Sequence, residues 1–517
     1  MKMVKSLILG SAAGLIAMSG AQAADLPVKA KAVEYVRICS LYGAGFYYIP
    51  GTDTCIKLGG YLRVETAINT SGPFGGAYSA QPGAQNRLTN YYHTRSREDL
   101  TIDTRTATEY GVVRTFFDAT FSWTTGTYAG TGAGGTFYSA AGQSGGVGGV
   151  GNPSDGGIAG GSLGVYHAFI QFAGFTMGKT ISQFDAPWVN YPGNNFDGLV
   201  GGSGTVTGVN QLTYTAQFGN GVSAAFSLQD PTAYTQSNIF NASAGLLSGP
   251  GFAGGTYGLN DLGGTRAPDI IGVLKVDQAW GMFQLSGVAH NNHAAYQGAF
   301  EPTGAPSDKW GWAVQGSLQL KNIPTGAGDT INIQAVYTDG ASRYNFSSLF
   351  PTSLAMFGGT NLPGAYQSVA VAGVADGIFA TGTGIRTVQT WGMRGAFNHN
   401  WDPYWSSALY GAYAQLKYGN GGAAIACTAI AGIGAATAGI TSCNPDFNIA
   451  QIGMITRWTP VKNLTFSADL TYTMVDQKFA GTITPAAGFA GVAKPAATYE
   501  LKDQNTLGLL IRAQRNW

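Results

Sequence analysis

An alternation of apolar and polar residues with a period of two is the sequence feature that most constrains the fold of this chain. In the segment 211–218 the even positions are apolar and the odd positions are Gln or Thr. After Gly219-Asn220-Gly221 the pattern resumes over 222–229, with Val, Ala, Phe and Leu at the even positions. Successive side chains of a strand point to opposite faces, so this period indicates strand rather than helix. The two segments together predict a β-hairpin.

The same alternation recurs along the chain and predicts an all-β fold of sixteen strands. These predicted strands span residues 56–69, 98–107, 111–123, 165–172, 175–184, 210–218, 222–230, 269–277, 282–291, 310–321, 330–339, 386–399, 405–418, 447–459, 464–478 and 499–515. Short connections alternate with long ones, which lie near 70–97, 124–164, 185–209, 231–268, 292–309, 340–385, 419–446 and 479–498. A 16-stranded antiparallel transmembrane β-barrel with long external loops and short periplasmic turns has this rhythm.

Charged residues at mid-strand distinguish this barrel from its main alternative, a water-soluble β-sandwich. Arg63, Arg394 and Asp469 are among those that fall on the face opposite the apolar residues. An Arg or Lys left in hydrocarbon at mid-depth would cost about 2–4 kcal/mol, so these groups must face water inside the barrel. Two segments fit poorly, because Lys179 and Lys275 share a face with apolar neighbours.

The N-terminus predicts export from the cytoplasm. Lys2 and Lys5 precede the apolar run 7–18, and Ala-Gln-Ala at 21–23 supplies the small residues of a cleavage site. The expected organisation is therefore a signal peptide over 1–23, an N-terminal periplasmic segment over 24–55 and a barrel over 56–517.

Composition excludes other classes of protein. With 28 basic and 27 acidic residues the net charge is +1, which argues against a nucleic-acid partner. The segment 423–440 has the roughly 18 apolar residues of a membrane-spanning helix. Its high Ala and Gly content and its cysteine instead favour an exposed glycine-rich loop. No catalytic residue, metal site or cofactor is predicted.

Four cysteines in an exported protein predict two disulfides, for which three connectivities are possible. The local solution pairs Cys39 with Cys55 and Cys427 with Cys443. Fifteen residues separate the members of each pair, which is too long for the usual zinc knuckle. A loop of this size closed by a disulfide would gain about 3 kcal/mol in the chain-entropy description.

Several motifs carry a resemblance to a known family. They are the segment 39–63, which runs from Cys39 to Arg63 (CSLYGAGFYYIPGTDTCIKLGGYLR), Gly-Val-Val-Arg at 111–114, and Gly-Phe-Thr-Met-Gly-Lys at 174–179. With these motifs the chain closely resembles the alphaproteobacterial outer-membrane general porin family. The resemblance implies a homotrimer of water-filled barrels among outer-membrane lipid and lipopolysaccharide of a Gram-negative bacterium, each barrel narrowed by its third external loop. Trp517 departs from the Phe with which such proteins usually end.

Charges near the expected constriction loop, residues 185–209, are the candidate site. The loop offers two acids, and the first strands offer basic residues across from them. The candidates are Asp185, Asp197, Arg63, Arg95, Arg97, Arg105 and Arg114. Acid on one side and base on the other would set a field that orients dipolar solutes. The alternative is that some arginines pair with neighbouring acids and hold the wall together.

The predicted function is passive diffusion of small hydrophilic solutes and ions. Two other classes remain open from the sequence. An outer-membrane lipase would need a Ser-His pair near the lipid boundary, with His167 as the candidate. A structural or adhesive surface protein would use the long loops 124–164 and 340–385 and would show no conductance.

Overall fold

The computed structural model describes residues 37–70, 91–124, 156–158, 161–243, 248–347, 349–489 and 494–517. The expected signal peptide lies outside the described residues, as does most of the second external loop. The chain divides into two compact units, residues 1–56 and 57–517.

In the first unit the described part is a small disulfide-closed fold. The short strand Tyr47–Tyr48 pairs antiparallel with residues 55–56. Cys39 and Cys55 form a disulfide with their Cα atoms 6.0 Å apart. Phe46 is buried against the two cysteines. The predicted pairing of these cysteines is confirmed.

Sixteen strands in the described residues form one closed antiparallel barrel, as predicted. Strands β1 to β16 are, in order, Cys55–Ile68, Tyr92–Thr108, Gly111–Thr124, Gly161–Phe172, Phe175–Thr180, Val209–Gly219, Val222–Gln229, Asp269–Gln278, Gly281–Asn292, Lys309–Lys321, Thr330–Asp339, Gln389–Asn400, Trp405–Lys417, Phe447–Val461, Leu464–Gln477 and Gln504–Asn516. Closure is made by β16 and β1, where Tyr61 pairs with Asn516 and Ile68 with Leu509.

The two faces of the wall have the predicted sidedness. Phe226 is 55% exposed and Leu470 41% exposed on the outer surface, where lipid would cover them. Arg394 is 1% exposed and Asp469 is 0% exposed on the inner face. Because strand residues alternate, this division recurs around the barrel and gives a mainly polar lumen inside an apolar belt.

The poor fit of the segment around Lys275 has a physical explanation. Ile271 and Val273 face the lumen, yet both are buried against Phe184 and Tyr344, which come from external loops folded inward. An apolar residue on the inner face is stable when another part of the chain covers it. The alternation rule therefore fails at β8 because a loop replaces water there.

Short hairpin turns close the strands at one end of the barrel. Asn220 and Gly221, between β6 and β7, both have positive φ values, of 49° and 72°. Two successive positive values are required by the type I′ turn, whose twist matches the two strands it joins, and Asn-Gly is its preferred sequence. The predicted short turns follow from this local chemistry.

The described parts of the external loops contain regular secondary structure. Their further strands are Gly156–Ile158, Asn238–Asn241, Leu259–Asn260, Ser353–Gly358, Gln367–Gly373, Ala375–Phe379, Arg386–Thr387, Ile440–Ser442, Ala480–Ile483 and Tyr499–Leu501. Their helices are α1, Gly249–Ala253, and α2, Gly419–Ala431, with 3-10 turns at Glu301–Thr303, Ser342–Tyr344 and Gly434–Ala436. A further 3-10 turn, Ser40–Tyr42, belongs to the N-terminal unit. Buried residues of five loops form one apolar core with the inner faces of β12 to β15, so these loops fill part of the external half of the lumen.

The segment 423–440, expected to be an exposed glycine-rich loop tied by a disulfide, lies in the seventh external loop, but its first half is helical. Helix α2 occupies much of that segment and buries Gly422, Ala426 and Ile430, which are spaced four residues apart on one helical face. The Ala content that argued against a membrane span favours a short helix. The predicted disulfide between Cys427 and Cys443 is confirmed, with a Cα separation of 5.9 Å. Among the described residues, no helix has the length and apolarity needed to cross a membrane.

Candidate functional site

The third external loop, called loop 3 below, connects β5 to β6 over residues 181–208 and runs inside the barrel. It begins earlier than predicted because β5 ends at Thr180. Asn332 of β11 donates its side-chain N–H to the carbonyl oxygen of Pro192 (2.6 Å). On the other side of the loop, the backbone N–H of Val200 donates to Oε1 of Gln451 in β14 (3.0 Å). Loop 3 is therefore attached to the inner wall along several strands.

Two glycines allow loop 3 to lie close against the wall. Gly201 has a φ of +87°, and a Cβ there would lie 2.3 Å from the carbonyl oxygen of Met393. A Cβ on Gly202 would lie 2.1 Å from Nε2 of Gln334. A side chain at Gly201 would collide with the backbone of the wall, so glycine is required there. At Gly202 it would have to displace the Gln334 amide, which is hydrogen-bonded to Gln315 and Arg394.

Arg394 of β12 is the strongest attachment between loop 3 and the wall. Its guanidinium donates to four oxygens of the loop: the carbonyl oxygens of Val189 (2.6 Å), Leu199 (2.9 Å) and Ser203, and Oδ1 of Asn190 (3.0 Å). A further hydrogen bond reaches Oε1 of Gln334 on the neighbouring strand (2.9 Å). The sequence assigned Arg394 to the lumen, but no sequence pattern indicated that it would bind backbone oxygens of a distant loop.

Four arginines of β1, β2 and β16, called the arginine group, face the lumen beside loop 3: Arg63, Arg95, Arg97 and Arg512. Glu65 lies among them and is buried. It accepts hydrogen bonds from Arg95, whose Nη2 is 2.5 Å from Oε2, and from Nε of Arg512. Arg63 donates to Oε1 of Gln514 (2.8 Å). Part of this group therefore also holds the wall together, as the alternative interpretation requires.

Asp197 of loop 3 lies next to the arginine group and interacts electrostatically with Arg95. The hydroxyl of Tyr191 donates to Oδ1 of Asp197. Burial, with the nearby Asp197 carboxylate, raises the pKa of Tyr191 well above its usual value, so the phenol stays protonated and keeps donating. Nη2 of Arg512 reaches the carbonyl oxygen of Asn195, 3.3 Å away. The loop thus presents an acid to a basic stretch of wall.

Asp185, the other predicted acid of loop 3, has different surroundings. Its carboxylate is buried and accepts hydrogen bonds from the backbone N–H (2.6 Å) and hydroxyl (2.7 Å) of Thr205. Burial raises the pKa of Asp185. Both partners are loop residues, so this carboxylate stabilises the fold of loop 3 itself.

Comparison with known proteins agrees with this geometry. The family described as "Porin subfamily" matches residues 25–510. The chain belongs to this porin family. Porin Omp2b of Brucella suis is 30% identical over 368 residues, which is 65% of this chain and 84% of the relative. The corresponding protein of Brucella neotomae is 31% identical over 365 residues, with coverages of 65% and 85%.

The solved structure of the outer membrane channel DcaP of Acinetobacter baumannii shares the fold. It matches with a TM-score of 0.55 at 12% identity, over 91% of this chain and 99% of that chain. The family match and the Brucella relatives show that the porin is a channel protein of the outer membrane of a Gram-negative bacterium, as the sequence predicted. The family and its curated relatives carry the names of channels rather than of enzymes.

Two of the candidate residues of the porin lie away from loop 3. Asp103 of β2 forms two ion pairs: its Oδ2 lies 2.9 Å from Nη2 of Arg105 and 3.0 Å from Nη2 of Arg114. Both arginines are three residues from the turn between β2 and β3, at the periplasmic end of the barrel. The candidate arginines therefore divide into one set beside loop 3 and one at the periplasmic exit.

A buried carboxylate–histidine cluster, which sequence reasoning missed, ties the loops of the porin to its wall. Nδ1 of His290 lies 2.6 Å from Oδ1 of Asp269, and Nε2 lies 3.6 Å from Oδ2 of Asp376 in the sixth loop. Asp376 also accepts the backbone N–H groups of Ser237 (2.8 Å) and Ser342 (2.6 Å). The fourth and sixth loops are thereby joined to β8 and β9.

His167, the candidate for a lipase, lies on the lumen side of β4. Its Nδ1 is 2.7 Å from Oδ2 of Asp118 on β3. In the described part of the porin no three His, Cys, Asp or Glu side chains are grouped so that they could hold a metal ion.

Proposed function

We propose that Asp197 and the arginine group form the narrowest charged section of the porin, through which small hydrophilic solutes and ions diffuse passively. The observation that carries this proposal is the course of loop 3 inside the barrel, with Asp197 beside Arg95. Fixed charges of opposite sign across a narrow water-filled section produce a transverse field. Zwitterions and other dipolar solutes would turn in this field as they pass.

The rigidity of the section supports the proposal. Glu65 holds two of the arginines by ion pairs, and Tyr191 holds Asp197 by a hydrogen bond. Side chains with fixed positions keep their charges fixed, so the field would not be averaged by motion. Asp185 is not included, because its carboxylate is buried and used within loop 3.

Reversal potentials measured in a salt gradient across a planar bilayer test this proposal. Replacing Arg63 and Arg97 together by Gln removes two positive charges and should shift selectivity toward cations. Asp197→Asn removes the facing acid and should shift selectivity toward anions. Arg266→Gln is the matched control, because the Arg266 side chain is 68% exposed on an external loop. Reversal potentials that stay at the wild-type value in both variants would remove these residues from the narrow section.

The remaining parts of the proposal concern processing and assembly. The signal peptide over 1–23, the periplasmic segment over 24–55 and the barrel over 56–517 remain the expected organisation. The homotrimer and the contacts with lipid and lipopolysaccharide rest on the family resemblance. Stepwise closure of channels in groups of three, recorded in the same bilayers, would support the trimer, and single independent steps would contradict it.

A further inference from the structure

Arginines on the lumen wall of β1 to β4 lie over aromatic rings. The guanidinium carbon is 4.4 Å from the ring centre in the pair Arg63 and Tyr61, 5.4 Å in Arg97 and Tyr166, 5.1 Å in Arg114 and Phe116, and 5.5 Å in Arg114 and Phe169. The inner wall of a water-filled barrel is expected to be polar. Aromatic rings combined with arginines on that wall therefore call for an explanation.

The two phenylalanines face the lumen. Phe116 has the same parity on β3 as Arg114 and Asp118, whereas Phe117 is exposed on the outer surface. On β4, Phe169 alternates with Ile170, which is likewise exposed on the outer surface. Both phenylalanine rings are half-buried rather than buried, so part of each ring meets the lumen.

The rings and the charges form one compact set at the periplasmic exit, called the exit cluster: Asp103, Arg105, Arg114, Phe116 and Phe169. The rings of Phe116 and Phe169 are stacked, with centres 5.3 Å apart and planes 29° apart. The guanidinium of Arg114 lies over both rings, so partly exposed aromatic carbon and a positive charge are adjacent on the lumen wall.

The charge of the exit cluster favours an anion. Within these five residues two arginines share the single carboxylate of Asp103, which gives the set a charge of +1; the next inward acid on β3, Asp118, lies 2.7 Å from Nδ1 of His167. Arg114 donates from Nε and Nη2 to Asp103 and from Nη1 to Gln171 (2.9 Å). Each terminal nitrogen of a guanidinium carries two N–H groups, so Arg114 has donors beyond these bonds.

We propose that the exit cluster is a binding station for small aromatic carboxylates. The carboxylate of such a solute would accept hydrogen bonds from Arg114, and its ring would lie against the stacked phenylalanines. Aromatic pairs are worth about 0.5–1.5 kcal/mol beyond the area they bury, so a planar aromatic ring is favoured over an aliphatic ring of similar size. This inference rests on the proposed channel function, because solutes reach the exit cluster through the lumen.

Two solutes matched in charge and size provide the test, namely benzoate and cyclohexanecarboxylate. Each is added to the wild-type porin in a planar bilayer, and the interruptions of the ion current are used to obtain the dissociation constant. We expect benzoate to bind about 2- to 10-fold more tightly. If the wild-type porin binds the two solutes with equal dissociation constants, that result alone overturns the proposal.

Variants locate the effect in the exit cluster. In the double variant Phe116→Leu, Phe169→Leu the preference for benzoate should disappear, and in Arg114→Gln both solutes should bind more weakly. Phe117→Leu, on the outer face of the same strand, should keep the preference. A preference for benzoate that survives in the double phenylalanine variant would refute the assignment of aromatic binding to the exit cluster. If the double variant does not insert, Phe169→Leu alone is measured and should reduce the preference. A porin that conducts salt but does not distinguish the solutes refutes this inference and leaves the channel function intact.

Discussion

Replacing Arg394 by Met should weaken the attachment of loop 3 to the wall while the barrel remains closed. Arg394 donates to four oxygens of loop 3, at Val189, Asn190, Leu199 and Ser203. Methionine preserves much of the apolar stem and removes every one of these hydrogen bonds. The strands themselves are paired by backbone hydrogen bonds, which this change does not affect.

The size of the effect follows from those four contacts. A buried acceptor left without its donor costs about 1–3 kcal/mol. Lumen water and local adjustment of the loop will satisfy part of this loss, and removal of a buried charge returns part of its desolvation cost. We therefore expect the attachment of loop 3 to weaken by about 3 kcal/mol, which raises the detached population more than 100-fold.

Single-channel recording measures the consequence. Arg394→Met should increase open-channel current fluctuations and change the reversal potential in a salt gradient, because Asp197 moves away from the arginine group. Arg457→Met is the graded control, since Arg457 donates one hydrogen bond to loop 3, at Gly193 O (2.5 Å). A conductance, noise level and reversal potential equal to those of the wild type would refute the anchoring role of Arg394.

Three further changes test other parts of the porin. Asp376→Asn should speed hydrogen exchange in the sixth loop at least several-fold, because an amide cannot accept hydrogen bonds from all the donors that converge there. Unchanged exchange would contradict the role of the carboxylate–histidine cluster. The double variant Cys427→Ser, Cys443→Ser should lose about 3 kcal/mol of local stability in the seventh loop, seen as faster exchange over 419–446, and equal exchange rates would contradict this. Asp329→Asn should lower the melting temperature at pH 7, and the difference should fade as the pH drops toward 2. The hydrogen bond from the Thr325 hydroxyl is the largest cause that lowers the pKa of Asp329 to about 2, so its stabilisation is present above pH 4 and lost as it protonates; a difference that is independent of pH would refute this assignment.

The barrel could be predicted from the sequence because its physics is local. Alternation at period two and short turns such as Asn220-Gly221 act over a few residues, and they located all sixteen strands. The sidedness of the wall was equally accessible, because a charge such as Arg394 has one acceptable side in a membrane.

The interior arrangement depends on contacts between residues that are distant in the sequence. Ile271 contradicts the lumen pattern because Phe184, from a loop 87 positions earlier, covers it. Asp185 and Asp197 look alike in the sequence, because each is an acidic residue of loop 3. In the structure Asp185 is buried with Thr205, whereas Asp197 lies beside Arg95. No local rule separates these two acids, since the difference comes from the path of loop 3.

The sequence also could not distinguish an irregular external loop from a folded one. The segment 423–440 is rich in Gly and Ala, which suits an exposed loop by composition. Its helix is stabilised by packing of Ala426 and Ile430 against residues of other loops. Burial against other loops therefore stabilises the helix, which the composition of the segment did not predict.

Thiol labelling of two positions on one strand tests the central claim, that polar side chains line an aqueous channel and apolar side chains meet lipid. Ser223 and Phe226 lie on opposite faces of β7, and Phe226 is exposed on the outer surface. With the porin in a planar bilayer, a water-soluble, membrane-impermeant thiol reagent should react with Ser223→Cys and lower the conductance in a step. Phe226→Cys should remain unreactive, with its conductance unchanged. Rapid reaction at position 226, together with protection at position 223, would contradict the account.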